Sequence, residues 1–449
     1  MKYLEILDKI IYELKFAQNL TPNFTTSRKG IQIGFSANFM NLSKAFAKKI
    51  YDNDTMLHNI AFDNFLKITK QCVVDFYTED KLNNLQDSSE IISALKKYIK
   101  DSILKDINQF TYYIPIRTLG FEQIQDFSFG SIKITSQKNL ILNEIDILNN
   151  ENYQKINYKK YIEDHINDNI DIEKLEDPFS WQLNILANAI KISKSFIKID
   201  IKGYDNELSF QLASIVAKTT LDSISLLIGS KDLFFQQVLI SDKSLPTMNY
   251  NLLKIGENLM LPGMRLSPAI QIISSKKALE IINKNKIFTD AISKVLASLK
   301  DPSQSHTILV NRWATALNWY AEGIREQDEA IALTKFATSL DVLSKGGKYK
   351  GILSMLKKIF NINEDDTVAK GLSLKDFVKN IYDNERSKIL HGTEYERLKS
   401  FNYQKNTYMP IIRSILLLSL EALYNFQGED FDGSFIKVIE DNTNIKEVK

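Results

Sequence analysis

The chain has 449 residues, with 57 Lys and Arg against 55 Asp and Glu for a net charge of +2, and 44% of its residues are hydrophobic. That balance excludes an intrinsically disordered chain and predicts roughly two to four domains, each long enough to bury a core. It also exerts no global pull on nucleic acid, so an RNA or other acidic partner needs a local basic patch.

Residues 1–20 carry Tyr3, Leu4, Ile6, Leu7, Ile10 and Ile11 interrupted by Lys2, Glu5, Asp8 and Lys9. An amphipathic helix requires such interruptions and a signal-peptide core does not allow them. Residues 1–108 read as mostly helical, with polar punctuation at 21–29 and 51–55. Cys72 stands alone, so no internal disulfide and no Cys-based zinc cluster is expected, which fits a reducing, cytoplasmic setting.

From Phe110 the texture changes. Residues 110–117 and 127–135 are β-branched and aromatic and are bounded by Gly120 and Asp126, as strands are. Residues 143–178 are rich in Asn, Asp, Glu and Lys and read as a solvated helix or excursion. Residues 195–202 alternate strictly, Ile197, Ile199 and Ile201 on one face and Lys198, Asp200 and Lys202 on the other, which predicts a strand ending at Gly203. A long helix is expected over 208–227, then a loop-rich connection over 241–266.

From His306 the pattern is helical throughout, with helices predicted over 307–324, 328–344, 349–360, 374–390 and 402–426. The most apolar stretch, 410–426, carries Arg413 and Glu421 and falls short of the ~20 residues of a membrane span, so no membrane partner is expected. The helix over 374–390 has the best-defined limits. Ser373 with Asp376 three residues on makes a capping box, and Gly392 follows its end. Leu374, Phe377, Val378, Ile381, Tyr382 and Ile389 form its apolar stripe, and Arg386 and His391 lie off it.

The run from Arg386 through Ser387 to His391, an R-x4-H motif near the end of a bundle helix with Gly392 behind it, resembles the signature of HEPN domains (higher eukaryotes and prokaryotes nucleotide-binding). It is most similar to the Apea-like group of bacterial antiphage and abortive-infection proteins. The helix around Phe336 to Leu343 with Asp341, and the pair Trp319 and Tyr320, also fit that group. The resemblance covers about the last third of the chain. It implies metal-independent endoribonuclease activity on RNA such as tRNA or mRNA, without cofactors, in a site completed by a homodimer of such bundles. It further implies a toxin-like effector controlled by the N-terminal region and by a phage-derived trigger or regulatory protein.

The residue types suit that chemistry. His titrates near neutral pH, so His391 fits a general acid or base. A planar guanidinium meets the charge gathering on a pentacoordinate phosphorus, which is the role implied for Arg386. In a regular α-helix the two lie roughly 140° apart around the axis and about 7.5 Å along it, so a second protomer or a long reach is needed. Asp341 and Ser387 are the supporting residues, Asp341 to hold Arg386. Ser387 departs from the Asn, Asp or His that many active members carry there, which keeps open a non-catalytic HEPN module binding RNA, a nucleotide or a protein. Thr393 stands where a related subgroup has a modifiable Tyr, and Tyr395 is two residues too far. The plainer reading pairs Arg386 with Asp383 or Asp376 and makes His391 a helix cap.

Between Lys335 and Phe360 there are six Lys against one acid, Asp341. Lys345, Lys348 and Lys350 with the intervening backbone amides would meet phosphates and Tyr349 would stack on a base, or the segment is an ordinary turn with solvated Lys. Asp200 and Lys202, with Asp177 upstream, also fit a metal-nuclease pattern, though a charged solvent face explains them as well. Glu163, Asp164, His165 and Asp168 sit in an acidic stretch, and His58 and His306 have no sequence partners. The expected architecture is mainly α with a mixed α/β N-terminal region and a C-terminal HEPN-like helical bundle. Its divisions are a helical region 1–108, a mixed α/β regulatory or sensing region 109–305, and the bundle 306–449.

Overall fold

A computed structural model describes residues 3–16, 24–81, 88–144, 158–169, 180–242, 253–260, 273–301, 303–387, 389, 399–430 and 435–439. It is mainly helical with small antiparallel sheets, and its chain contacts divide it into two units, 1–110 with 201–212, and 111–200 with 213–449.

In the first unit α1 (Tyr3–Phe16) buries Ile6, Leu7 and Ile10 of the expected apolar residues, together with Leu14. A hairpin of β1 (Phe24–Thr26) and β2 (Gln32–Gly34) follows, where only polar punctuation was expected. The short strands have too few residues to show a two-residue period, and the turn is made by Gly30 at φ 80°. Then come α2 (Ala37–Tyr51), capped by Ser36, α3 (Phe62–Thr78) and α4 (Ser88–Asp106). Phe39, Phe46, Phe65, Val73, Leu95 and Ile99 fill the core between them. Residues 201–212 belong here because the buried Asp205 accepts from the amide of Ala61 (3.1 Å) and from Asn64 (3.0 Å) while capping a helix through the Leu208 amide (2.9 Å).

The second unit holds a five-stranded sheet in the order β4-β5-β6-β3-β7. Its strands are β3 (Asn108–Arg117), β4 (Phe127–Phe129), β5 (Ile132–Ser136), β6 (Ser195–Tyr204) and β7 (Val238–Leu239). The run 127–135 is thus a tight hairpin rather than one strand, because Gly130 at φ 54° reverses the chain. The alternation of β6 is as predicted, with Ile197, Ile199 and Ile201 buried. Between β5 and β6 lie α5 (Gln137–Asn139), a π-turn Leu140–Glu144, α6 (Tyr158–Ile166) and α7 (Ser180–Lys191), which share a small core of Ile141, Ile162, Leu183, Ala187, Ile190 and Phe196. α8 (Asn206–Ile228) and the short α9 (Leu233–Gln236) follow, and the expected loop contains a hairpin of β8 (Leu253–Ile255) and β9 (Asn258–Met260).

The helical bundle comprises α10 (Ser275–Lys284), α11 (Lys286–Lys300), α12 (Thr307–Arg325), α13 (Glu329–Leu343), α14 (Lys348–Phe360), α15 (Leu374–Lys379) and α16 (Asn402–Asn425). α11 precedes His306 in sequence yet packs on α12 and α16. α12 and α13 pack along their length around Trp313, Leu317, Tyr320, Phe336 and Leu340. Fully burying each such side chain contributes about 1.5–3 kcal/mol. Gly323 permits the approach, since a Cβ there would lie 2.6 Å from the Phe336 ring. The buried Arg325 pairs with Asp222 of α8 and donates to the Phe234 carbonyl (2.8 Å), while burial pushes the Asp222 carboxyl up. Among the described residues two helices, α8 and α16, are long and apolar enough to cross a membrane by length and composition alone. The most apolar window is buried inside the fold to 67% in α8 and to 44% in α16.

Candidate functional site

α15 begins as its sequence dictates. The Ser373 hydroxyl accepts from the Asp376 amide (3.1 Å) and donates to the Asp376 carboxylate (2.8 Å). A hairpin of β10 (Thr367–Ala369) and β11 (Leu372–Ser373), unforeseen in the sequence, leads into that cap. The helix is regular only to Lys379, and Asn380–Ser387 is wound as a π-helix instead of the expected α-helix. Leu374, Phe377, Val378, Ile381 and Tyr382 are buried as predicted. Between Tyr382 and Ile389 the chain offers only Asp, Asn, Glu, Arg, Ser and Lys, so no apolar packing enforces the 3.6-residue period there. π-turns of this kind occur often at functional sites.

The winding matters for Arg386. Its guanidinium lies over the ring of Tyr382, four residues earlier, at 4.9 Å from the ring centre. Its Nη2 stands 3.8 Å from Oδ2 of Asp341 on α13, and its Nε is buried without an acceptor among the described residues. The pair is partly shielded, the Arg386 side chain 25% exposed and that of Asp341 16%. The Arg386 ion pair is therefore with Asp341, whereas Asp376 serves Ser373 and Asp383 is exposed. Burial raises the Tyr382 hydroxyl above its ordinary range, the Asp341 charge raises it further, and the Arg386 cation opposes both.

Asp341 also organises the Lys-rich turn. Its Oδ1 accepts the Lys348 amide (3.1 Å), and its carbonyl accepts the Gly346 amide (2.8 Å). Lys345, Gly346 and Lys348 all adopt positive φ. The Lys345 and Gly347 amides are bonded to the Val342 and Ser344 carbonyls. The amides of Lys345, Gly346, Gly347 and Lys348 are thus spent in closing the turn, which removes those four as phosphate donors. The side chains of Lys345, Lys348 and Lys350 are exposed and that of Tyr349 is half-buried. Ser387, half-buried, ends the π-segment. His391 and Gly392 lie outside the described residues, as do Thr393 and Tyr395, and the 140° separation applies to a regular helix that the backbone leaves at Asn380.

Sequence reasoning missed two residues here. Tyr382 was assigned only to the apolar stripe, and the aromatic residue four before the Arg was the available signal. Arg312 of α12 donates to the Val342 carbonyl (3.1 Å), beside Asp341, and nothing in the sequence points to it.

The remaining candidates have structural duties. Asp200 accepts from Thr111 across the sheet (2.6 Å), and Lys198 pairs with Glu144 (2.6 Å), which also accepts from Tyr113 (2.8 Å). The Lys198 hydrogen bond holds the Glu144 carboxyl below its usual range. Asp177 lies outside the described residues. His165 bonds Asn188 (3.0 Å), and Asp168 pairs with Lys191. His58 packs on Tyr51, and His306 bonds the Gly428 carbonyl (2.8 Å) at the start of α12. Trp319 is exposed and Tyr320 is buried, donating to the Met409 carbonyl (3.1 Å). Among the described residues no group of three or more His, Cys, Asp or Glu is placed to hold a metal ion.

No protein-family model, curated protein or solved structure matches this chain.

Proposed function

We propose that this chain is a HEPN-type, metal-independent endoribonuclease of the Apea-like kind, cleaving tRNA or mRNA as an antiphage or abortive-infection effector regulated by its N-terminal region. One observation carries the reading. The bundle brings Asp341 of α13 to 3.8 Å from Arg386, so the acid that the resemblance points to on a neighbouring helix faces the motif arginine. In this chemistry the RNA 2′-hydroxyl attacks the adjacent phosphorus, its proton passes to a base, and the P–O5′ bond breaks as an acid protonates the leaving oxygen. His391 serves as acid or base, and Arg386 meets the charge on the phosphoryl oxygens. The proposal includes a cytoplasmic homodimer joined through the bundle, with two motif helices completing one site.

The test is to incubate the full chain with total tRNA and with mRNA in excess chelator and to map the product ends. Cleavage leaving 2′,3′-cyclic phosphate, lost in Arg386→Ala and in His391→Ala, is the expected result. A wild-type-like rate in either variant, or activity that the chelator abolishes, would sink the assignment. A second reading, a non-catalytic HEPN module that binds RNA, a nucleotide or a protein, is favoured by Ser387 after Arg386. It predicts retained RNA binding with no cleavage.

A further inference from the structure

The contacts of Arg386 divide into two kinds. The Tyr382 ring is fixed, 9% exposed and set in the core beside Ile381 and Phe377, and the guanidinium rests on its face. A cation over an aromatic face is attracted by the ring quadrupole, and Arg386 also hydrogen-bonds the Tyr382 hydroxyl, so the tyrosine sets the plane of the guanidinium and leaves its other N–H groups available. The contact with Asp341 is different. At 3.8 Å it is longer than a hydrogen bond, and Nε has no acceptor among the described residues. Asp341 does not depend on Arg386 for its position, because the Lys348 amide holds its other carboxylate oxygen. An anchored carboxylate that neutralises a guanidinium without hydrogen-bonding it offers an anion in the place where a phosphate would bind.

We infer that Tyr382 and Asp341 act on Arg386 in opposite senses: Tyr382 is a positioning residue that orients the guanidinium, and Asp341 is an internal counter-ion that an RNA phosphate has to displace. The inference rests on the reading that Arg386 meets RNA. It reverses the supporting role that sequence reasoning assigned to Asp341.

The experiment measures binding of the full chain to a short 2′-O-methyl RNA by fluorescence anisotropy, a probe that has no free 2′-hydroxyl and is not cleaved. Asp341→Asn keeps the acceptor for the Lys348 amide and removes the charge, and it should bind about fivefold tighter. Tyr382→Leu should bind about fivefold weaker, while Tyr382→Phe, which keeps the ring face, should stay within about twofold of wild type. In an Arg386→Met background the Asp341→Asn gain should vanish. Equal or weaker binding by Asp341→Asn, a gain that persists without Arg386, or a Tyr382→Phe as weak as Tyr382→Leu would each overturn the inference. This binding pattern without cleavage of natural RNA would defeat the ribonuclease reading and leave the inference standing. Cleavage of natural RNA without the pattern would do the reverse.

Discussion

Each unit of the molecule contains an arginine that faces an aspartate on a neighbouring helix and lies over a tyrosine ring, Arg28 with Asp75 and Tyr98 in the first and Arg386 with Asp341 and Tyr382 in the second. Their ring distances are nearly the same, 5.0 Å and 4.9 Å, but their hydrogen bonding is not. The Arg28 amide donates to Asp75 (2.9 Å), Nε pairs with the other carboxylate oxygen (3.3 Å), Nη1 donates to the Tyr98 hydroxyl (2.7 Å) and Nη2 to Ser102 (3.2 Å). Gln71 adds a further donor to Asp75, which is fully buried (3.0 Å). That trio is a closed staple fastening the β1–β2 hairpin to α3 and α4. In the Arg386 trio one contact is stretched and Nε is unspent. A buried donor without a partner costs about 1–3 kcal/mol, so a fold keeps one only where something else holds the group in place. The same three residue types therefore make a structural clamp in one unit and a candidate site in the other.

The largest expected effect is on the clamp. Asp75→Ala strands Arg28 and Gln71 and should cost about 2–3 kcal/mol of stability, allowing for the half-exposed Arg28, as read from denaturant unfolding. A loss below about 1 kcal/mol would remove the contrast with Asp341. Next is the frame that carries Asp341. Gly323→Ala drives a methyl group into the Phe336 ring and should cost about 1–3 kcal/mol, lowering the melting temperature. An unchanged melting temperature would show that α12 and α13 separate easily. By comparison, Asp341→Asn should change stability by no more than about 0.5 kcal/mol, since its pair is loose and its amide acceptor survives. A cost close to that of Asp75→Ala would make the second trio a clamp too.

The smallest effect is spectroscopic. Ionisation of Tyr382 places a negative charge beside Asp341, which opposes it, and Arg386, which favours it. Asp341→Asn should therefore lower the Tyr382 titration midpoint and Arg386→Met should raise it, as followed by tyrosinate absorbance against a Tyr382→Phe blank. Shifts of the same sign in both variants would mean that the ring does not feel this pair.

How far the sequence could be read depended on the length of the signal. The helices over 307–324, 328–344, 349–360 and 402–426 were legible to within a residue or two, because each buries a long periodic stripe. The short hairpins at Phe24–Gly34, Phe127–Ser136 and Thr367–Ser373 were not read as hairpins, since strands of two to five residues hold too few alternations to separate from a turn or from one longer strand. At the site, the motif and the capping box at Ser373 were visible, and the resemblance pointed to Asp341 as the partner of Arg386, but no local signal separated it from Asp376 or Asp383.

Sequence alone therefore determined α12, α13, α14 and α16 of the bundle, the buried face of β6 and the start of α15, because each follows from residues within a few positions of one another. Only the tertiary structure decided that Asp341 rather than Asp376 or Asp383 faces Arg386, that the Gly346 and Lys348 amides close on that same aspartate, and that residues 201–212 join the first unit through Asp205. It also decided the π-winding that sets Arg386 on Tyr382. Those outcomes depend on which groups far apart in the chain satisfy one another's charge and hydrogen bonds, and no local period encodes that choice.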